Sequence, residues 1–222
     1  TVGRGAGGAI AKKVLHPKDI KVIGYTKQIG NITASAIDFK EIEKNDVRCP
    51  DKNAAQKMIK KIRGVKKRGD SIGGIVEIIT IGVPPGLGEP VFDKLNADIA
   101  KALMSIGAVK GVEIGSGFKS ALLLGSQNND EIYIKNKRVS FRTNNAGGIL
   151  GGISNGDDIV ARIAVKPTAS IFRTQKTIDK HGKEIEINVG GRHDPCICPR
   201  IVPVAEAMMS IVIVDHLFRA RL

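Results

Sequence analysis

Apolar side chains recur along this chain at helical and at alternating spacing, and each spacing predicts a kind of secondary structure. Helical spacing follows Asp51, a residue type that commonly caps helices, and predicts a helix over Lys52–Arg68. It also predicts helices over Pro90–Ile106, with proline at the favoured first position, and over Pro203–Arg219. The apolar stripe of the Pro90 helix comprises Val91, Leu95, Ile99, Leu103 and Ile106.

Runs rich in β-branched residues predict strands between these helices. Ile20–Ile32 predicts one or two strands, Gly73–Val83 a central strand, and Ile159–Val165 another. Val109–Leu124 predicts a strand followed by a turn, and Glu131–Ile134 and Lys183–Val189 predict short strands. This order of elements predicts mixed α/β structure with mostly antiparallel pairing. Since no low-complexity linker interrupts the chain, we expect one domain over residues 1–222.

A glycine pattern near the start of the chain has two interpretations. Gly3–Gly8 satisfies Gly-x-Gly-x-x-Gly, which marks a dinucleotide site where a strand precedes it and a helix follows. Only two residues precede the pattern in this sequence. We therefore favour the second interpretation, that small residues here allow helices to pack closely.

The chain is strongly basic, with 35 Lys and Arg against 22 Asp and Glu and a formal net charge of +13. This balance favours anionic partners: nucleic acid, an anionic membrane or small polyanions. Lys57–Arg68 is the densest basic run, but no aromatic side chains lie within it to stack on bases. We interpret it as a solvated helix face and expect no nucleic-acid partner. Nucleic-acid binding stays the rival function, and a steep salt dependence of DNA binding would support it.

The lengths of the apolar runs and the number of cysteines indicate in which cellular compartment the protein is expected. No apolar run reaches the roughly 20 residues that a membrane span needs, so no membrane partner is expected. No signal-peptide pattern is present. The three cysteines, Cys49, Cys196 and Cys198, fit a reducing compartment better than a disulfide framework. Cys196-x-Cys198 lies beside His193, but structural zinc sites space cysteines more widely and need four ligands, so we expect no metal.

Three polar segments are candidate ligand sites, and each has a structural alternative. Gly191–Cys196 places a glycine, a cation, a histidine and a carboxylate in sequence before an apolar helix. It forms either a ligand site or a capped strand-to-helix turn. The glycine pairs within Asn144–Gly156 suit close backbone approach to a ligand, or a tight turn. Lys166–Ser170, with a cation and two hydroxyls, could hold a phosphate or form an ordinary polar turn.

The same segments resemble the chorismate synthase family. The matching stretches are GRHDPC before VPVAEAM, MSIGAVKGVEIGSGF at 104–118, NNAGGILGGISNG at 144–156 and VKPTASI at 165–171. They occur in the family's order along essentially the whole chain. The resemblance implies an α/β fold, a layered β-α-β sandwich with mostly antiparallel sheets. It also implies a cytoplasmic, homotetrameric flavoprotein associated with NADP.

The resemblance implies a carbon–oxygen lyase of the shikimate pathway to aromatic amino acids. Such an enzyme converts 5-enolpyruvylshikimate 3-phosphate to chorismate and phosphate by 1,4-elimination and requires reduced FMN. Several phosphates and carboxylates then meet in one site, which accounts for a strong positive field. Asp194 corresponds to the family's proton acceptor near flavin N5. The expected FMN contacts are Gly107, Ala108, Gly151, Lys166, Pro167, Thr168, Ala169, Ser170 and Arg192.

Two departures from the family pattern matter. Gly107 stands where an asparagine is usual, so only a backbone contact could be made there. The family's opening GESHG-type motif and its two catalytic histidines have no match, and His193 is expected to be structural. We therefore expect a C-terminal portion of a single chorismate synthase domain that does not turn over alone. A truncated flavin-binding remnant without turnover is the remaining alternative.

Overall fold

The computed structural model describes residues 1–221, so Leu222 of the predicted domain lies outside the described residues. The α-helices are α1 (Val2–Leu15), α2 (Lys52–Lys67), α3 (Leu95–Met104), α4 (Gly125–Asn128) and α5 (Cys198–Arg219). Short 3₁₀ helices occupy His16–Lys18, Phe39–Lys44 and Gly117–Leu122. The strands are β1 (Lys21–Ile29), β2 (Ile32–Thr33), β3 (Gly74–Ile81), β4 (Val109–Ile114), β5 (Ile132–Lys135), β6 (Arg138–Phe141), β7 (Ile149–Leu150), β8 (Ile153–Ser154), β9 (Ile159–Val165), β10 (Gln175–Ile178) and β11 (Glu184–Ile187).

The largest sheet has five strands in the order β2-β1-β3-β9-β4. Three two-stranded antiparallel hairpins, β5-β6, β7-β8 and β10-β11, accompany it. β1 and β2 also pair antiparallel, with Gln28 opposite Thr33. The expected α/β class with mostly antiparallel pairing is confirmed. The expected strands at Gly73–Val83 and Ile159–Val165 correspond to β3 and β9.

The contacts within the chain define two compact units. The first unit comprises Thr1–Gly24, Val76–Ala164 and the chain from Ile201 onward, and the second comprises Tyr25–Ile75 and Val165–Arg200. Large fully buried side chains fill the core of each unit. Those of the first are Leu15, Ile78, Leu87, Leu95, Ile99, Leu103, Ile159, Ile163 and Met209. Those of the second are Tyr25, Ile29 and Met58.

Close packing of α1 on α5 confirms the interpretation of the N-terminal glycines at Gly8, but not at Gly3 or Gly5. A Cβ placed on Gly8 would overlap the Cα and Cβ of Ala207, whereas one on Gly5 would meet nothing within 4 Å. Glu206 adds polar contacts, since its carboxylate accepts a hydrogen bond from Lys12 Nζ at 2.6 Å and another from the Gly24 N–H at 2.7 Å. Gly8 is therefore the position where the missing side chain lets two backbones approach.

The start of α3 differs from the prediction. Val91 and Phe92, which belong to the segment expected to be helical, are exposed, Phe92 by 90%. The helix begins instead at Leu95, whose N–H donates to the carbonyl of Gly152 at 2.8 Å, while Glu89 N–H donates to Asp93 in a preceding turn. This tertiary hydrogen bond satisfies an N–H that has no partner inside the helix, and it fixes the start four residues after Val91.

Helix α5 begins at Cys198 rather than at Pro203, so Pro203 lies inside the helix and is exposed. Among the described residues, α5 is also the one helix long and apolar enough to cross a membrane, judged by length and composition. In the structure, 56% of that apolar window is buried inside the protein. A helix in the core of a protein can be as apolar as a membrane-spanning helix, because it contacts other apolar side chains on several sides.

Candidate functional site

Two of the predicted site segments meet in the second unit. The hydroxyl of Thr168 donates a hydrogen bond to the carbonyl of Asp194 at 3.1 Å, and the Thr168 carbonyl accepts one from Ser71 Oγ at 2.6 Å. The Ile72 N–H donates to the Pro195 carbonyl at 2.8 Å. The loop Lys166–Ser170 and the segment Gly191–Cys196 are thus brought together by the start of a third segment, Ser71-Ile72.

Arg200 holds the carboxylate of Asp194. Its Nε lies 3.2 Å from Asp194 Oδ2, and the aspartate side chain is about one-third exposed, at 30%. Arg200 belongs to the first turn of α5, so the ion pair joins the loop to the helix that follows. Oδ1 of Asp194 has no hydrogen-bond partner among the described residues. The site therefore presents one fixed and one open carboxylate oxygen.

The contacts of His193 fit the structural role expected of it. Its Nε2 lies 3.0 Å from the carbonyl of Gly190, and its ring centroid is 5.8 Å from that of Phe172. Phe172 is tied back by its N–H, which donates to the carbonyl of Gly69 at 2.9 Å. The imidazole thus shapes the Gly191–Cys196 turn against a neighbouring loop.

Lys166 and Arg192, two of the predicted cofactor contacts, have positively charged side chains that an anion could reach. Lys166 and Arg192 are exposed, and neither makes an ion pair or a side-chain hydrogen bond with any residue that the structure describes. Pro167 packs closely on Gly73, where an added Cβ would lie 3.1 Å from the proline Cδ. Ala169 is exposed and Ser170 is half-buried on the same loop. The segment is therefore held by Pro167 and Thr168, while its charged and small residues stay accessible.

The cavity between these loops is small, with a volume of about 30 Å³. This is room for a water molecule or two rather than for a flavin, since pockets for cofactor-sized ligands measure roughly 300–1,000 Å³. Its walls are formed by Lys66, Gly69, Asp70, Ser71, Ser170, Ile171, Phe172, His193, Asp194 and Pro195. Within the second unit, these loops therefore offer an accessible surface and not an enclosed flavin pocket.

The predicted FMN contacts of the first unit lie in two separate places, Gly107 and Ala108 in one and Gly151 in the other. Gly107 and Ala108 follow the last turn of α3, and Ala108 has a positive φ of 72°. Gly151 lies in the turn next to Gly152, whose carbonyl accepts the hydrogen bond from Leu95 at the opposite end of α3. A ten-residue helix is about 15 Å long. The structure therefore does not bring Gly151 together with Gly107 and Ala108 in this unit.

The turn alternative accounts for the second glycine pair. Gly151 and Gly152 form the two-residue connection of the β7-β8 hairpin, and both have positive φ, at 62° and 94°. Hairpin turns of this kind need positive φ at both positions, which glycine adopts without strain. The Cβ position of Gly151 is open to solvent, with nothing within 4 Å. A cofactor contact at Gly151 stays a prediction.

Sequence reasoning missed Ser71 and Arg200 as parts of the site. Ser71 lies 97 residues from the Thr168 that it contacts, so no local pattern links them. Arg200 precedes Pro203, where the sequence predicts the helix to begin, so no pattern assigns it to the first turn. A helix beginning at Cys198 would have placed an arginine in its first turn, close to the preceding acidic loop.

Comparisons with known proteins point to one family. The family model described as chorismate synthase matches residues 1–218. The chain is 54% identical to the chorismate synthase of Chloroflexus aggregans over all of its own length and 61% of that protein. It is 56% identical to that of Methanosarcina barkeri, covering 99% of the chain and 62% of the relative. The chain thus spans about three-fifths of the length of these relatives.

A solved structure agrees. A crystal structure of chorismate synthase superimposes with a TM-score of 0.82 at 32% sequence identity, over 98% of this chain and 63% of that one. At this identity and score the likeness extends beyond fold class to the arrangement of elements along the whole chain.

Proposed function

Because this chain belongs to the chorismate synthase family, we propose that it forms the part of a chorismate synthase that contacts FMN and carries the base. The reaction converts 5-enolpyruvylshikimate 3-phosphate to chorismate and phosphate, a carbon–oxygen lyase step of the shikimate pathway to aromatic amino acids. The observation that carries this proposal is the hydrogen bond from Thr168 to Asp194, which joins the expected cofactor loop to the expected base.

The charges of the second unit suit this chemistry. The substrate has a phosphate and two carboxylates, and FMN contributes another phosphate. Lys166 and Arg192 are exposed cations without partners among the described residues, and Ser170 offers a hydroxyl on the same loop as Lys166. An anion that accepts charge-assisted hydrogen bonds from such groups is held more strongly than by neutral donors. Lys166, Arg192 and Ser170 therefore suit the phosphate of FMN. The second unit encloses no pocket large enough for the flavin ring among the residues described.

Asp194 is the proposed proton acceptor. Arg200 fixes Oδ2, so the carboxylate keeps one orientation, and Oδ1 stays open to receive the proton lost from the substrate ring. When bound, reduced FMN supplies electron density to the reacting allylic system while phosphate leaves. The role of this chain is to hold the anions, through Lys166 and Arg192, and to keep Asp194 in place through Thr168 and Arg200.

The remaining features of the proposal follow from the family. We propose a cytoplasmic homotetramer, associated with NADP through flavin reduction, in which residues 1–222 belong to a single domain. Backbone contacts from Gly107, Ala108 and Gly151 to FMN are part of the same proposal. For Gly107 and Gly151, which have no Cβ, a cofactor could approach the peptide directly.

The test is product formation by the protein purified from its source. With 5-enolpyruvylshikimate 3-phosphate and reduced FMN, we expect chorismate and phosphate in equal amounts, and no product with oxidised FMN. The 222-residue chain assayed in parallel is expected to give no product. FMN binding without product from the source protein would favour the flavin-binding remnant, and absence of both would contradict the proposal.

A further inference from the structure

A pair of thiols next to the proposed site is used by none of the chemistry described above. Cys196 and Cys198 are both buried, Cys196 exposed by 8% and Cys198 by 0%, and neither is in a disulfide. A single residue, Ile197, separates them in the chain. Both thiols therefore lie within one short segment, at the point where α5 begins.

The two thiols differ in acidity. The pKa of Cys196 lies below its ordinary value because of the hydrogen bond from the Cys198 thiol, helped by the backbone N–H and opposed by burial and by the charge of Asp194. The pKa of Cys198 is raised, because its proton is held in that hydrogen bond and because the thiol is buried. Burial also raises the pKa of the third thiol, Cys49. A thiolate is the nucleophile in disulfide exchange, so Cys196 is the more reactive sulfur.

A cavity of about 270 Å³ gives access to Cys196. Its wall contains Cys196, Arg63 from α2 and Arg200, with one acidic residue, Asp46. Arg63 is exposed and makes no ion pair within the described part of the chain, whereas Arg200 is paired with Asp194. A small molecule that enters this cavity therefore meets a thiol beside a free guanidinium, an environment that favours a negatively charged reagent.

We propose that Cys196 and Cys198 form a redox-active dithiol, in which Cys196 attacks a small anionic disulfide admitted by this cavity and Cys198 resolves the product. In the first step the Cys196 thiolate forms a bond to one sulfur of the disulfide, and the other sulfur leaves as a thiolate. In the second step Cys198 loses its proton and its sulfur displaces the remaining thiolate. The protein is oxidised by two electrons to the Cys196–Cys198 disulfide, and the small disulfide is reduced to two thiols.

The position of the pair gives this oxidation a structural consequence. Asp194 lies two residues before Cys196, and Arg200 lies two residues after Cys198. A disulfide across one intervening residue closes a small ring, and such strained disulfides are readily reduced. Oxidation would therefore reversibly rearrange the peptide that carries the Asp194–Arg200 ion pair. Intracellular disulfides of this transient kind commonly have a redox-sensing role.

Oxidised glutathione, a disulfide with several carboxylates, is the probe for the first experiment. The reduced protein is treated with it, and each cysteine is assigned by peptide mass spectrometry. We expect a Cys196–Cys198 disulfide that dithiothreitol reverses, with Cys49 still reduced. We expect Cys196 to react faster than Cys49, because Cys196 lines the cavity and burial raises the pKa of the Cys49 thiol. Equal reactivity of Cys196 and Cys49, or a stable glutathione adduct on Cys196 in the unaltered protein, would overturn the proposal.

Variants separate the two thiols. Cys198→Ser removes the resolving sulfur and is expected to trap a glutathione adduct on Cys196, while Cys49→Ser is the matched control and should behave like the unaltered protein. Cys198 is fully buried against Gly74, so Cys198→Ala serves as a second variant if the serine chain does not fold. Absence of an adduct in a folded Cys198 variant would exclude Cys196 as the attacking thiol.

The charge of the cavity has its own test. Arg63→Gln is expected to slow the reaction of Cys196 with oxidised glutathione severalfold and to leave its reaction with cystamine, a cationic disulfide, unchanged or faster. Lys60→Gln, on the same helix but outside the cavity wall, is the control and should change neither rate. Equal slowing of both disulfides by Arg63→Gln would show that the guanidinium does not select an anion.

Discussion

Thr168 and Asp194, 26 residues apart in the chain, are joined by a hydrogen bond from the threonine hydroxyl to the aspartate backbone carbonyl. The bond leaves the Asp194 carboxylate free to pair with Arg200 through one oxygen. The position of the proposed base is thus set through its backbone by one loop and through its side chain by one helix.

Thr168→Val is expected to loosen this arrangement. It removes the hydroxyl at nearly constant volume, so the free energy of unfolding should fall by about 0.5–1.5 kcal/mol, the net value of one hydrogen bond. Turnover of the complete enzyme should fall as well, because Asp194 loses a support. Urea unfolding and chorismate formation are the measurements. Thr168→Ser keeps the hydroxyl and is the control; if it loses as much as Thr168→Val, the methyl contact rather than the hydrogen bond supports the site.

Asp194→Ala tests the proposed base. Turnover in the complete enzyme is expected to fall about 10²–10⁴-fold, the usual contribution of a general base, while FMN affinity changes far less. Asp46→Ala, an exposed aspartate of the same unit, is the control and should retain turnover. The rate and the FMN dissociation constant are measured on each variant. Equal losses of rate and affinity in Asp194→Ala would instead assign Asp194 a structural role.

Asp51 makes the second unit sensitive to acid. Its pKa lies far below the usual range because the N–H groups of Ala54, Ala36 and Ser35 donate to its carboxylate. A lowered folded-state pKa gives a stabilisation that is present above the unfolded value of about 3.9 and is lost as the pH falls toward the folded value. We therefore expect Asp51→Asn to be destabilised at neutral pH, and its difference from the unaltered protein to narrow near pH 3.

Urea unfolding of both proteins at the two pH values measures the effect of Asp51. Asp46→Asn is the matched control, since Asp46 makes no hydrogen bond with any described residue, and its unfolding free energy should change by under about 0.5 kcal/mol at either pH. A difference between Asp51→Asn and the unaltered protein that stays constant from neutral to acid pH would contradict the role of the ionised carboxylate.

Gly5 and Gly8 of α1 are expected to respond to alanine in opposite directions. Gly5→Ala adds a methyl group to an open position and should stabilise the helix by about 0.5–1 kcal/mol. Gly8→Ala forces a methyl group into Ala207 of α5 and should destabilise the protein by about 1–3 kcal/mol. Thermal or urea unfolding distinguishes the two. Stabilisation by both substitutions would mean that α1 and α5 can move apart without lowering the free energy of unfolding, which would contradict the close packing of Gly8 on Ala207.

Helices and strands whose positions depend on residues close together in the chain could be predicted from the sequence. The start of α2 is an example, since Asp51 Oδ1 accepts hydrogen bonds from Asn53 and Ala54. The same holds for β3 and β9, whose β-branched runs suit buried strands. The segments Lys166–Ser170 and Gly191–Cys196 were found from residue types alone, because a cation, a hydroxyl and a carboxylate in a short stretch are chemically conspicuous.

Tertiary contacts decided the rest. Asp51 Oδ2 also accepts from Ser35, 16 residues away, and Leu95 begins α3 because the carbonyl of Gly152 receives its N–H. The hydrogen bond between Thr168 and Asp194, the pairing of Asp194 with Arg200 and the cavity beside Cys196 depend likewise on chain segments that meet only in the fold. The sequence by itself determined the types of element and the chemistry available in each loop, because both depend on residues close together in the chain. Only the tertiary structure decided where helices begin and which polar groups meet, because those hydrogen bonds and packing contacts join residues far apart in sequence.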